Sequence, residues 1–94
     1  MNSDLKLFLG EYFGTFFFIL AILSSGGNPL IIGGALAFVI YMLQGTTKGH
    51  VNPAVSFTSY LNNKITLSDF AYSVASQLLG GASALYAYKS SLQM

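Results

Sequence analysis

Gly45-Thr46-Thr47-Lys48-Gly49-His50-Val51-Asn52-Pro53-Ala54-Val55-Ser56-Phe57-Thr58-Ser59-Tyr60 is the stretch on which the fold turns. It starts polar. Asn52-Pro53 then pairs a residue suited to cap a helix with a proline suited to its first position. Pro53 to Tyr60 is a short apolar run, ended by Leu61-Asn62-Asn63-Lys64. A helix of that length reaches about 12–15 Å, half the thickness of a bilayer core. It cannot cross a membrane. It can enter to the midplane and turn back, provided its loose backbone lines a water-filled cavity or is covered by protein.

The flanking sequence is membrane-like. The chain has 94 residues, 53% hydrophobic and 7% charged, against about 25% charged in an ordinary soluble domain. A fold this small cannot bury so much apolar side chain, so lipid is the more economical solvent. Leu5 to Ser25 is apolar apart from Lys6 and Glu11 and would span about 31 Å as a helix. A signal peptide with Lys6 as its basic flank is the competing reading; Glu11 and a weak cleavage site at Ser24-Ser25-Gly26-Gly27 speak against it. Asn28-Pro29 opens a second helix, uncharged to Thr47, with small residues Gly33, Gly34, Ala35 and Ala37 suited to close packing in lipid. Thr66-Leu67-Ser68-Asp69 resembles a capping box and opens a third, small-residue-rich helix. The expectation is one all-α membrane domain over residues 1–94, with three transmembrane helices and one re-entrant half-helix. The helices fall at about 5–25, 29–47 and 66–90, and the re-entrant loop and half-helix at about 48–62.

A half-helix beginning at Asn52 aims its N-terminal amides, about half a positive charge, at the point where it starts. At the membrane centre, cations would meet that end. The Asn52 oxygen can cap the helix while its N–H groups face a solute. Residues Lys48 to Val51 would aim carbonyls into the same lumen, and Ala54 is small enough for a second helix end to approach. Acceptors followed by a donor suit water or a polyol.

In the context Gly49-His50-Val51-Asn52-Pro53-Ala54-Val55-Ser56-Phe57, the chain resembles the first signature loop of the aquaporin, or major intrinsic protein, family. Asn63-Lys64-Ile65-Thr66-Leu67 is similar to that family too, especially its plant tonoplast members. Glu11-Tyr12-Phe13-Gly14-Thr15-Phe16 resembles the family's first-helix Glu-Phe-x-Gly-Thr, and Ala75-Ser76-Gln77-Leu78-Leu79-Gly80 its third-helix Ala-Gln-x-x-Gly. The resemblance implies that Glu11 is buried and accepts hydrogen bonds from the signature loop, and that His50 and Gln77 brace that loop. On the residues alone, the alternative for Glu11 is an interfacial position near the end of a shifted helix, the less favoured reading, and Gln77 is equally well read as a generic interhelical hydrogen bond. The implied activity is passive conduction of water or small uncharged solutes such as glycerol.

The family fold has two inverted repeats; this sequence carries one Asn-Pro-Ala and resembles the N-terminal repeat. The expected remedy is an antiparallel dimer of this chain with itself, the two Asn52 residues meeting at the midplane and the dimers assembling further into a tetramer-like channel. Alternatives are a truncated half that needs a separate partner half, and a non-transporting membrane scaffold. In the family orientation Lys6, Lys48 and Lys64 lie toward the cytoplasm and Lys89 opposite, a bias weak enough to permit dual insertion. The resemblance places Ile32 and Phe18 on the pore wall. Val55 follows Ala54, and the chain has no arginine where the family's second signature supplies one, so the expected pore is wider than a strict water channel. No cofactor or metal site is expected: the chain has no cysteine, and a lone histidine is not a metal site. Glu11 and His50 lack a nucleophile, so an enzyme is not expected. A net charge of +1 without a basic cluster argues against nucleic acid.

Overall fold

The computed structural model describes residues 2–93. Four helices follow one another: α1 (Ser3–Ser24), α2 (Pro29–Leu43), α3 (Pro53–Leu61) and α4 (Leu67–Leu92). Among the described residues there is no strand.

Each helix begins where the sequence offers a cap. The Asn2 side chain accepts from the Asp4 and Leu5 amides, which starts α1 two residues before the expected Leu5. Asn28 accepts from Leu30 and Ile31, with Pro29 at the first helical position. Asn52 accepts from Ala54, with Pro53 in the same place. Thr66 accepts from the Asp69 amide at the head of α4. Each cap satisfies amides that the helix itself leaves without a partner.

The second helix is shorter than expected. It stops at Leu43, not Thr47, because Gly45 takes a left-handed φ of +81° and the Thr46 and Thr47 amides both fold back onto the Leu43 carbonyl. A glycine at that position accepts the turn without the steric cost a Cβ would add. The turn frees Thr47 to reach α1. At 15 residues, α2 is about 22 Å long, while the 26 residues of α4 make about 39 Å. By length and composition, α1 is apolar enough to cross a bilayer, and α2 is apolar but shorter. Serines and Gln77 within α4 lower its hydropathy, and several of them are buried.

α1 lies along α4, with α2 on a second side of α1 and α3 against α4. Gly80 makes the α1–α4 approach possible: a Cβ there would collide with the Tyr12 carbonyl oxygen. Tyr12 Oη donates to Ser83 Oγ at 2.7 Å a little further along. Gly14 does the same for α2, facing the side chains of Leu43, Val51 and Val39. The Phe70 ring seats α3, with Tyr60 stacked on it at 5.3 Å and Phe57 tilted against it at 5.8 Å.

The interior is polar. The largest fully buried side chains are Gln77, Glu11, Ser56 and Ser76, while buried hydrophobics are Val39, Val51 and Ala84. Leu30, Tyr41, Met42, Phe13, Leu78 and Tyr86 stand on the outside. A soluble fold reverses this arrangement.

Candidate functional site

The site is the segment between α2 and α3 and the buried groups that hold it. Its centre is Glu11, on α1 and 1% exposed. Oε1 accepts from the Val51 amide at 2.8 Å and from Gln77 Nε2, on α4, at 2.9 Å. Oε2 accepts from Thr47 Oγ1 at 2.6 Å. The Thr47 oxygen in turn accepts from the Gly49 amide at 2.9 Å. One carboxylate thus ties α1, α4 and both ends of the approach to α3. Hydrogen bonds to a carboxylate are stronger than neutral ones, and stranding a carboxylate in this interior would be costly.

Two backbone positions shape the turn. Gly49 has φ +66° and is buried beside Ile40; a Cβ would meet Ile40 only at ordinary contact distance, so it is the backbone conformation that would strain a side chain there. Val51 has φ +45° although it is β-branched and 3% exposed. That conformation costs a β-branched residue about 1–3 kcal/mol and persists only where the surroundings over-determine it. Here the Glu11 contact at the Val51 amide and the packing against Gly14 do so.

The second arm of the bracket runs through Gln77 to α3. Gln77 Nε2 donates also to Ser56 Oγ at 2.9 Å, and Ser56 Oγ lies 2.9 Å from His50 Nδ1. Ser56 is wholly buried on the inner side of α3. His50 therefore connects outward from the bracket to an open cleft lined by His50, Ala54, Val55, Thr58, Ser59, Asn62 and Lys64. Two polar atoms in this interior, Thr15 Oγ1 and Gln77 Oε1, have no hydrogen-bond partner.

Glu11, Gln77, His50, Gly49 and Val51 meet in one network. Asn52, Ala54 and Val55 are exposed at the start of α3, and Pro53 is half-buried beside them. Asn52 spends its oxygen on the Ala54 amide, which leaves its N–H groups outward. Ile32 and Phe18 are half-buried on α2 and α1, and neither lines the cleft beside α3. Sequence reasoning missed Thr47 and Ser56. The uncharged run makes Thr47 the expected end of the second helix, while the glycine at 45 is the signal that the helix has already ended. Ser56 carries no such signal: it lies one helical turn after the exposed Asn52, and that spacing does not mark it as buried.

Comparison with known proteins bears on the same segment. A family model described as Major intrinsic protein matches residues 1–93. Aquaporin PIP1-6 of Zea mays is 36% identical over 69 residues, covering 70% of this chain and 23% of its own length. Aquaporin A of Dictyostelium discoideum is 30% identical over 99 residues, covering 86% of this chain and 36% of its own. Glycerol uptake facilitator protein-like 6 of Lactiplantibacillus plantarum is 30% identical over 94 residues, covering 92% of this chain and 44% of its own. The chain spans less than half the length of these curated relatives.

Proposed function

The chain belongs to the major intrinsic protein family, and on that premise we propose that it conducts water and small uncharged solutes passively through a membrane. One observation carries this reading above the others: the capped end of α3 is exposed at Asn52 and Ala54 while a fully buried carboxylate holds the segment leading to it. Exposed amide donors fixed from behind are what a solute-lined wall needs. In this reading α1, α2 and α4 cross the bilayer and α3 enters only to its middle. The 22 Å or so of α2 is short for a core of about 30 Å, and the 44–52 segment leads from its end back to the midplane, with Gly49 and Val51 covered by protein.

One exposed half-helix makes half of a wall. The second half is supplied by another copy of this chain in antiparallel orientation, so that the positive ends of two α3 helices meet at the midplane and repel cations. The names of the aquaporin and glycerol-facilitator relatives support water and glycerol as the substrates of this reading. With Ile32 and Phe18 as the wall positions and no arginine in the chain, the pore admits glycerol as well as water.

Stopped-flow light scattering of proteoliposomes tests this. Water and glycerol permeability well above that of empty vesicles is expected, and Asn52→Asp should abolish solute flux or change its charge selectivity. Water permeation without glycerol permeation would overturn the selectivity reading, and vesicles no leakier than lipid would overturn the channel.

A further inference from the structure

The hydrogen-bond chain behind His50 fixes where its proton must lie. Glu11 Oε1 accepts from the Val51 amide, which can only donate, so this oxygen is also the acceptor toward Gln77. The Gln77 amide is thereby oriented: reversing it would set its carbonyl oxygen against a carboxylate oxygen already serving as an acceptor. Its two N–H hydrogens then go to Glu11 Oε1 and to Ser56 Oγ. Ser56 has one hydrogen of its own, and among the described residues the only other partner of its oxygen is His50 Nδ1 at 2.9 Å. If Nδ1 carried a proton, Ser56 would receive two donors and its own hydrogen would be buried unpaired in a wholly buried side chain.

We propose that Ser56 holds His50 as the Nε2–H tautomer, so that the imidazole offers the cleft beside Ala54 a hydrogen-bond donor and cannot pass a proton along it. A histidine relays a proton by taking one at the nitrogen that lacks it and releasing the other. Here the nitrogen free to accept is Nδ1, and it faces Ser56 inside the bracket, not the cleft. Protonating it would turn Ser56 away from its only acceptor. The ring therefore adds a fixed donor, and a neutral one, to the wall it shares with Ala54 and Val55. Ser56 acts as a positioning residue, since it reaches a solute only through His50. The tautomer stands on the hydrogen bonds alone; its meaning for proton exclusion rests on the channel reading above.

His50 is the chain's one histidine, so its ring signals are unambiguous. Nitrogen–proton correlation spectra of isotope-labelled protein in micelles should show the proton on Nε2 and a bare, hydrogen-bonded Nδ1 at neutral pH. A proton on Nδ1, or a doubly protonated ring, would overturn the assignment, and this reading uses the unaltered protein. Ser56→Ala should release the ring into mixed tautomers, and Ser56→Thr, which keeps the hydroxyl, should restore one. In vesicles loaded with a pH-sensitive dye, Ser56→Ala should raise proton flux several-fold relative to water flux. An unchanged ratio in a variant whose tautomer has shifted would overturn the relay argument. Absence of water flux in the unaltered protein would sink the channel reading and leave the tautomer to the spectra.

Discussion

The bracket around Glu11 and the outer surface of α2 are opposite in chemistry and in what they touch. In the bracket, the buried Glu11 carboxylate locks to the buried Gln77 and Val51 amides and to the half-buried Thr47 hydroxyl. On α2, Leu30 is 85% exposed, and Ile31, Phe38, Ile40, Tyr41 and Met42 stand out beside it. Of the other helices α2 packs on α1 alone. The contrast teaches where specificity and where solvent enter this fold. Buried polar groups set the single shape of the 47–56 segment, because each has few satisfying partners. The apolar surface specifies little by itself; it says that the surroundings are lipid or another helix.

The contrast can be broken from the polar side with the largest effect. Glu11→Leu strands the Val51 amide, the Thr47 hydroxyl and one Gln77 hydrogen, at a cost of about 3–5 kcal/mol, and thermal unfolding in detergent should show loss of the folded form. Thr47→Val leaves Glu11 with two donors and the Gly49 amide without an acceptor, for about 1–3 kcal/mol by the same measurement.

Glycines draw the same line between inside and outside. Gly80→Ala forces a methyl onto the Tyr12 carbonyl, so α1 and α4 must part, at about 1–3 kcal/mol. Gly33→Ala meets nothing within 4 Å in a single chain, and the gain in helix propensity is about 1 kcal/mol at most. Loss of stability at Gly33 instead would place a second helix against α2 and narrow the contrast.

The helix starts were legible in the sequence because a cap and a following proline act locally: Asn28-Pro29 and Asn52-Pro53 needed no tertiary information. The end of α2 was not, because uncharged residues continue to Thr47 and only the conformation of Gly45 stops the helix. Glu11 and Gln77 were singled out from resemblance. Their shared contact joins positions 66 residues apart and appears only once α1 lies along α4. Thr47 and Ser56 escaped for a simpler reason: a lone hydroxyl has no periodicity, and its partner is decided by the fold. The left-handed Val51 could not be foreseen, since a β-branched residue is among the last expected there.

A pore built from two antiparallel copies needs their α3 ends to meet, and a cysteine placed at Ala54 asks this directly. The chain contains no other cysteine, so any link is between the introduced thiols. A disulfide requires Cα atoms about 4.4–6.8 Å apart, a distance reached only if the half-helices face each other. Oxidation of Ala54→Cys protein in vesicles that conduct water should give a covalent dimer. Vesicles that conduct water while their protein stays uncrosslinked would contradict the antiparallel pair.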